Sequence, residues 1–231
     1  MHIQWLGHSA FKVKVGSAQI LFDPFLRGNP KFDGDFDAVV KGTTHVLLTH
    51  AHNDHFGDTI EILKATGATL AANFEIASYV ASQYSEAKTV AMNIGGTALV
   101  GGVEVTLTRA HHSSSYSAPD GRVIYGGEPG GVIARADGRS VYHMGDTAAF
   151  SDMALIDELH RPEIGIVPMG DWFTMGPNEA AIAVDRYFHF KYAIPCHWGT
   201  FPVLAQTPEE FVRSVRHCIV WAPQPMEERD F

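Results

Sequence analysis

The chain has 231 residues, 45% hydrophobic and 19% charged, and 17 basic against 26 acidic side chains leave a formal charge of −9 with histidine neutral. A chain of that length holds one large domain or two small ones with a sizeable core, and its acidic balance argues against a general nucleic-acid binder, which needs a basic patch against phosphates. No apolar run approaches the roughly 20 residues of a membrane-spanning helix, the opening Met1-His2-Ile3-Gln4-Trp5 resembles no export signal, and two cysteines make no disulfide framework, so no membrane and a cytoplasmic location are expected.

The first elements are short and β-rich, with strands expected at 2–6, 10–15 and 18–22, the last two joined by a Gly16-Ser17 turn. Pro24, Gly28, Pro30 and Gly34 mark 23–42 as a loop, and the apolar run 45–49 then reads as a buried strand. A helix over 58–66 closed by Gly67, a strand over 69–72 and a helix over 74–83 continue a β-α rhythm. After a glycine-punctuated middle, strands are expected at 103–109, 132–136 and 140–143. The rhythm returns with a helix over 151–160 and a strand over 164–167. A helix opened by Pro177 follows, with Ala180, Ala181, Val184, Tyr187 and Phe188 on one stripe, then a strand over 192–196 and a helix over 208–216. The glycine run 126–131 lacks the strand–glycine–helix context of a dinucleotide loop and reads as a turn near the mouth of a site. No linker, charge block or low-complexity tract intervenes, so residues 1–231 read as a single α/β domain.

Thirteen histidines stand out, and most are not scattered. Thr49-His50-Ala51-His52-Asn53-Asp54-His55 places three histidines and an aspartate directly after the buried strand. In a chain of this composition H-x-H-x-D-H arises by chance about 0.002 times, so accident is a poor account of it. Residues i and i+2 of an extended segment project to one side, so His50 and His52 can converge on one ion, while Asp54 and His55 beyond the turn can address a second. His111-His112, Asp146 and His197 follow at expected strand ends, where a rigid scaffold presents ligands. Alternation lets only one of His111 and His112 face the ions, and His112 is chosen. His143 reads as a packed or supporting residue. His2, His45, His160, His189 and His217 have no neighbours that suggest a shared site. Cys196 reads as a small buried hydrophobe, with a thiol ligand as the alternative.

This order of residues resembles the metallo-β-lactamase superfamily, whose motifs run as an early Asp, H-x-H-x-D-H, a lone His, a bridging Asp and a final His. Asp23, then His50, His52, Asp54 and His55, then His112, Asp146 and His197 fall in that order over nearly the whole chain. Further words narrow the resemblance to a bacterial family of metal-dependent hydrolases of unassigned substrate related to ascorbate-6-phosphate lactonase. They are Trp5-Leu6-Gly7-His8-Ser9-Ala10, Asp23-Pro24-Phe25-Leu26, Asn93-Ile94-Gly95-Gly96-Thr97, His112-Ser113-Ser114-Ser115, Gly145-Asp146-Thr147 and Phe173-Thr174-Met175-Gly176-Pro177. The resemblance implies a four-layer αββα sandwich with the site at one edge between the sheets, and an assembly into homo-oligomers. It places His8, Asp23 and Thr147 beside the metals or the substrate. Asn53, Asp171-Trp172, Cys196 and Trp198-Gly199 depart from the family words, and they fall on the pocket lining rather than on the ligands.

In this reading His50, His52 and His112 hold one ion, Asp54, His55 and His197 hold a second, and Asp146 bridges them. Two divalent transition metals are expected, zinc first for so imidazole-rich a site, with Mn, Fe or Ni also admissible. A metal-bound hydroxide attacks a small-molecule ester, lactone or phosphodiester, and Asp54 relays its proton. Two rival classes are an iron-dependent oxidoreductase on the same fold, which metal identity would distinguish, and a non-catalytic metal-binding scaffold, whose mark would be lost ligands. No ligand is lost in this chain.

Overall fold

Strands that are apolar on both faces need cover on both sides, and the runs around Val46-Leu47 and Leu70-Ala71 impose that requirement here. The computed structural model describes Met1–Phe231. Its first half holds β1 (His2–Trp5), β2 (Phe11–Val15), β3 (Ala18–Phe22), α1 (Phe36–Val40), β4 (His45–Leu47), α2 (Asn53–Phe56), α3 (Thr59–Thr66), β5 (Thr69–Asn73), α4 (Phe74–Gln83), β6 (Lys88–Met92), β7 (Thr97–Val100) and β8 (Val103–Arg109). Its second half holds β9 (Ser115–Ser117), β10 (Val123–Tyr125), β11 (Gly130–Ala136), β12 (Arg139–His143), α5 (Met153–His160), β13 (Ile164–Pro168), α6 (Pro177–Tyr187), β14 (Tyr192–Cys196), α7 (Glu209–Ser214), β15 (Ile219–Val220) and β16 (Glu228–Asp230).

Two seven-stranded sheets form, ordered β16-β1-β2-β3-β4-β5-β6 and β15-β14-β13-β12-β11-β8-β7, beside a separate hairpin of β9 and β10. Strands β3 to β6 run parallel in the first sheet and β12 to β15 in the second, while the remaining pairs are antiparallel. Alternation within β4 and β5 assigns the layers. Leu47 and Ala71 join Phe22, Val132 and Ile166 in the core shared by the two sheets. Val46, Leu70 and Ala72 face the other way, against Ile62 and Leu63 of α3 and Ile76 and Val80 of α4. Helices α5, α6 and α7 contribute Met153, Ala181, Val184 and Phe211 to the core of the second sheet. The layers therefore run helix, sheet, sheet, helix, the expected αββα sandwich. Fully buried side chains such as Trp5, Phe11 and Phe22 each add about 1.5–3 kcal/mol of transfer free energy. No helix is long and apolar enough to cross a membrane.

Several boundaries differ from the sequence expectation. Residues 36–40 form α1 inside the expected loop, because Asp35 caps the turn by accepting from Ala38 N at 2.8 Å. The exposed, wholly charged β16 exists through its pairing with β1, not through propensity. Helices α5 and α7 start later than expected, at Met153 and Glu209, and β4 ends at Leu47. Gly67 closes α3 as foreseen, at φ 67° with its N–H on Leu63 O. Of the glycine run, Gly130 and Gly131 already belong to β11.

Candidate metal centre

Strand direction decides where the loops emerge. β1, β3 and β4 point their C-terminal ends to one edge of the first sheet, and β8, β12, β13 and β14 point theirs to one edge of the second. Leaving those ends are the segments with His8, Asp23, the His50–His55 motif, His112, Asp146 and His197. The two edges coincide, since His55 Nε2 from the first sheet lies 3.3 Å from Asp146 Oδ2 of the second.

Asp146 Oδ2 sits centrally, 3.1 Å from His197 Nε2, 3.6 Å from His112 Nε2 and 3.9 Å from His50 Nε2. Around it the possible ligand atoms form groups whose members lie within 4.8 Å of one another: His50, His52 and His112; His8, Asp54, His55 and His197; and Asp23, His50 and His55. The motif is extended as far as His52 and then turns into α2, which carries Asp54 and His55. That change of backbone state separates the His50/His52 pair from Asp54 and His55. His112 reaches the cluster, whereas His111 stacks on Phe150 with ring centroids 4.5 Å apart. His143 is packed between the sheets, donating Nε2–H to Ser9 O at 2.9 Å and accepting from Gly145 N at 3.1 Å. Thr147 turns its hydroxyl onto backbone, accepting from His111 N and donating to Ala148 O, and so ties the His112 and Asp146 loops together. Cys196 is wholly buried in the core, where burial pushes its thiol well up.

Asp23, fully buried, organises the imidazoles. Its Oδ2 accepts from His55 Nδ1 at 2.7 Å and from Thr49 Oγ1 at 2.6 Å, and its Oδ1 accepts from Thr49 N at 2.8 Å. Thr49 Oγ1 in turn lies 2.9 Å from His50 Nδ1. A carboxylate only accepts, so protons run from His50 Nδ1 to Thr49 and from Thr49 to Asp23, and from His55 Nδ1 to Asp23 directly. Both Nε2 atoms are thereby left to face the cluster, the arrangement by which supporting carboxylates orient metal-binding histidines. Sequence reading did not single out Thr49, because its role depends on a partner 26 positions away. Thr49→Val keeps the shape and removes the hydroxyl; it is expected to weaken metal affinity about 10–100-fold, measured by competition with a chromophoric chelator. Unchanged affinity would leave the orientation of His50 to packing alone.

His8, which the resemblance placed beside the metals or the substrate, meets one candidate ligand directly in the fold. Its Nε2–H donates to Asp54 Oδ2 at 3.1 Å, and its Nδ1 lies 3.0 Å from the Thr200 hydroxyl oxygen. Burial, reinforced by His197, lowers its pKa to about 4, so His8 is neutral near pH 7. Burial works to raise the Asp54 carboxyl, but the His8 hydrogen bond and the charge of His55 outweigh it and keep Asp54 ionised. Burial first of all holds His50, His52 and His112 below the usual histidine range, which keeps them neutral donors. His55 goes the other way, because Asp146 and Asp23 overcome its burial.

These residues suit a metal. Asp146, 2% exposed, is paired with imidazoles and with no lysine or arginine. Its Oδ1 and the facing His55 Nε2 are buried without hydrogen-bond partners. Each such orphan costs about 1–3 kcal/mol unless something joins it. Neutral imidazoles with carboxylates are the donor set of a divalent transition metal, and a cation there balances the buried charge of Asp23 and Asp146.

A family model described as a β-lactamase superfamily domain matches residues 18–198, a span that runs from before Asp23 to beyond His197. The chain belongs to this superfamily. A relative from Chelativorans sp., named a UPF0173 metal-dependent hydrolase, is 50% identical over 234 residues with 100% of both chains covered. One of the same name from Sinorhizobium medicae is 53% identical over 217 residues, covering 93% of this chain and 92% of that one. Among solved structures, a metallo hydrolase from the hyperthermophilic archaeon Ignicoccus hospitalis shares 34% identity at a TM-score of 0.86, covering 100% of this chain and 98% of that one. Like these relatives, this β-lactamase superfamily member is a metal-dependent hydrolase. The superfamily match begins after His8, yet the fold returns His8 to Asp54.

Proposed function

We propose that the chain hydrolyses a small-molecule ester, lactone or phosphodiester at a pair of divalent metal ions. His50, His52 and His112 form one ligand set, Asp54, His55 and His197 the other, and Asp146 joins them. The observation that carries this reading is the position of Asp146 Oδ2, within 3.9 Å of histidine nitrogens from both sets. When bound, such ions supply a water of lowered pKa and polarise the scissile bond. The chain's own residues do the rest. Asp23 and Thr49 aim His50 and His55 at the centre. His8 steadies Asp54 through Oδ2, and the other carboxylate oxygen is left to take a proton from the attacking water. Cys196, turned into the core, takes no part.

Elemental analysis of protein purified without chelator tests the reading, together with a screen on generic phosphodiester, ester and lactone substrates. Two transition-metal ions per chain and turnover of at least one class are expected, and His52→Ala or Asp146→Ala should lower the metal content. One ion per chain in a fully active enzyme would remove the bridge. Cys196→Ala should keep turnover, whereas its loss with both metals retained would point to thiol chemistry.

A further inference from the structure

The loop after β13 lies between two loops that carry site residues. β12, β13 and β14 are adjacent and parallel, so the segment after Pro168 leaves the sheet at the same edge, with Asp146 on one side and His197 on the other. It is tethered to both. Met175 N donates to Thr147 O at 3.1 Å, and a Cβ on Gly170 would overlap the carbonyl oxygen of His197. Ala205 N also donates to Gly170 O at 2.7 Å, which closes this loop against the one that follows His197.

At the tip of the tethered loop Trp172 and Phe173 are 70% and 55% exposed, their rings edge to face with centroids 6.4 Å apart. Asp171 and Trp172 both occupy the left-handed region, at φ 62° and 56°, and Asp171 Oδ1 braces the turn by accepting from Trp172 N at 2.8 Å. Non-glycine residues hold that conformation only at a cost, and such strain gathers at functional sites. Here it turns two large apolar side chains into water, which core packing cannot explain. In the neighbouring loop, which Ala205 N ties to Gly170 O, Phe201 lies edge-on to His8 with ring centroids 5.4 Å apart, so a second aromatic ring stands beside the metal centre. The only charge from Met169 to Gly176 is the acidic Asp171, an unsuitable lining for a phosphate.

We propose that Trp172 and Phe173 are the binding face for an apolar substituent of the substrate, making the preferred substrates esters or lactones that carry an aryl or comparably bulky apolar group. The inference rests on the hydrolytic reading of the metal centre. Flat, rigid aromatic side chains anchor such a group at small entropic cost.

Trp5, Trp198 and Trp221 are buried, so Trp172 is the exposed tryptophan and its emission reports on the rim. The metal-loaded protein is titrated with 4-phenylbutyrate and with butyrate, product-like acids that differ by one phenyl group. The phenyl acid should bind at least about 10-fold tighter, equivalent to about 1.4 kcal/mol, and quench the exposed emission. Trp172→Ala and Phe173→Ala should each shrink that preference, and Trp172→Phe should restore most of it. No preference in the wild type, or one retained by both alanine variants, overturns the proposal. A Trp172→Ala protein that changes oligomeric state by light scattering and keeps the preference also overturns it, and makes the loop a subunit contact. Phenyl-selective binding without turnover of any ester, lactone or phosphodiester would defeat the hydrolytic reading and leave the rim standing. Hydrolysis without phenyl selectivity would do the reverse.

Discussion

Asp54→Asn is expected to lower turnover by about 10²–10⁴-fold, the range of a lost general acid or base. The substitution is close to isosteric, and the asparagine carbonyl can still accept from His8 Nε2, so the His8–Thr200 chain has no reason to rearrange. What disappears is the negative charge and, with it, the affinity for a proton. The native carboxylate keeps that charge even though burial opposes it. Turnover per bound metal is the quantity to measure, because Asp54 is also a candidate ligand. A variant that holds its metals and works within about tenfold of wild type would remove Asp54 from proton transfer.

Stripping the metals should cost the folded state several degrees of thermal stability. Ions at 100 times their dissociation constant stabilise by about 2.7 kcal/mol, and each kcal/mol moves the midpoint of a domain this size by about 2–4 °C, so a fall of roughly 5–11 °C is expected on chelation. The stripped centre keeps an orphaned Asp146 Oδ1, so the loss reflects local electrostatics and not only mass action. Its pH dependence has a definite sign. His8, His50 and His143 are all lowered, chiefly by burial. Between pH 6.5 and their folded values, the unfolded chain binds more protons than the folded one, so stability falls as the pH drops through that window. For His8 the window runs from 6.5 to about 4. His55, raised by Asp146 and Asp23, opposes the trend alone. Melting curves of chelated and reloaded protein from pH 8 to pH 5 give both results. A midpoint insensitive to chelation would mean that the centre binds metal weakly or not at all.

The H-x-H-x-D-H stretch was legible because its chemistry is local: an extended segment followed by one helical turn places four donors from six residues. The helices that Gly67 closes and Pro177 opens were legible for the same reason, since a glycine stop, a proline start and an apolar stripe act over a few residues. Short α1 and the charged β16 were not, because one depends on a single capping aspartate and the other on a partner strand at the far end of the chain. The choice of His112 over His111 came from strand alternation, but both residues lie in a bend beyond β8, where packing sets the rings: His112 Nε2 lies 3.6 Å from Asp146 Oδ2 and His111 stacks on Phe150.

By itself, then, the sequence determined which residue types gather, in what order, and the β/α rhythm that carries them, all of which are set by periodicity and by short-range backbone preference. Only the tertiary structure decided which atoms meet. Asp23 reaches His50 through Thr49, His8 reaches Asp54, and the Trp172 loop emerges between Asp146 and His197, because parallel pairing brings the ends of distant strands to one edge. Side-chain direction at a strand end follows from the neighbours in the sheet and from the facing sheet, and neither is written in the local sequence.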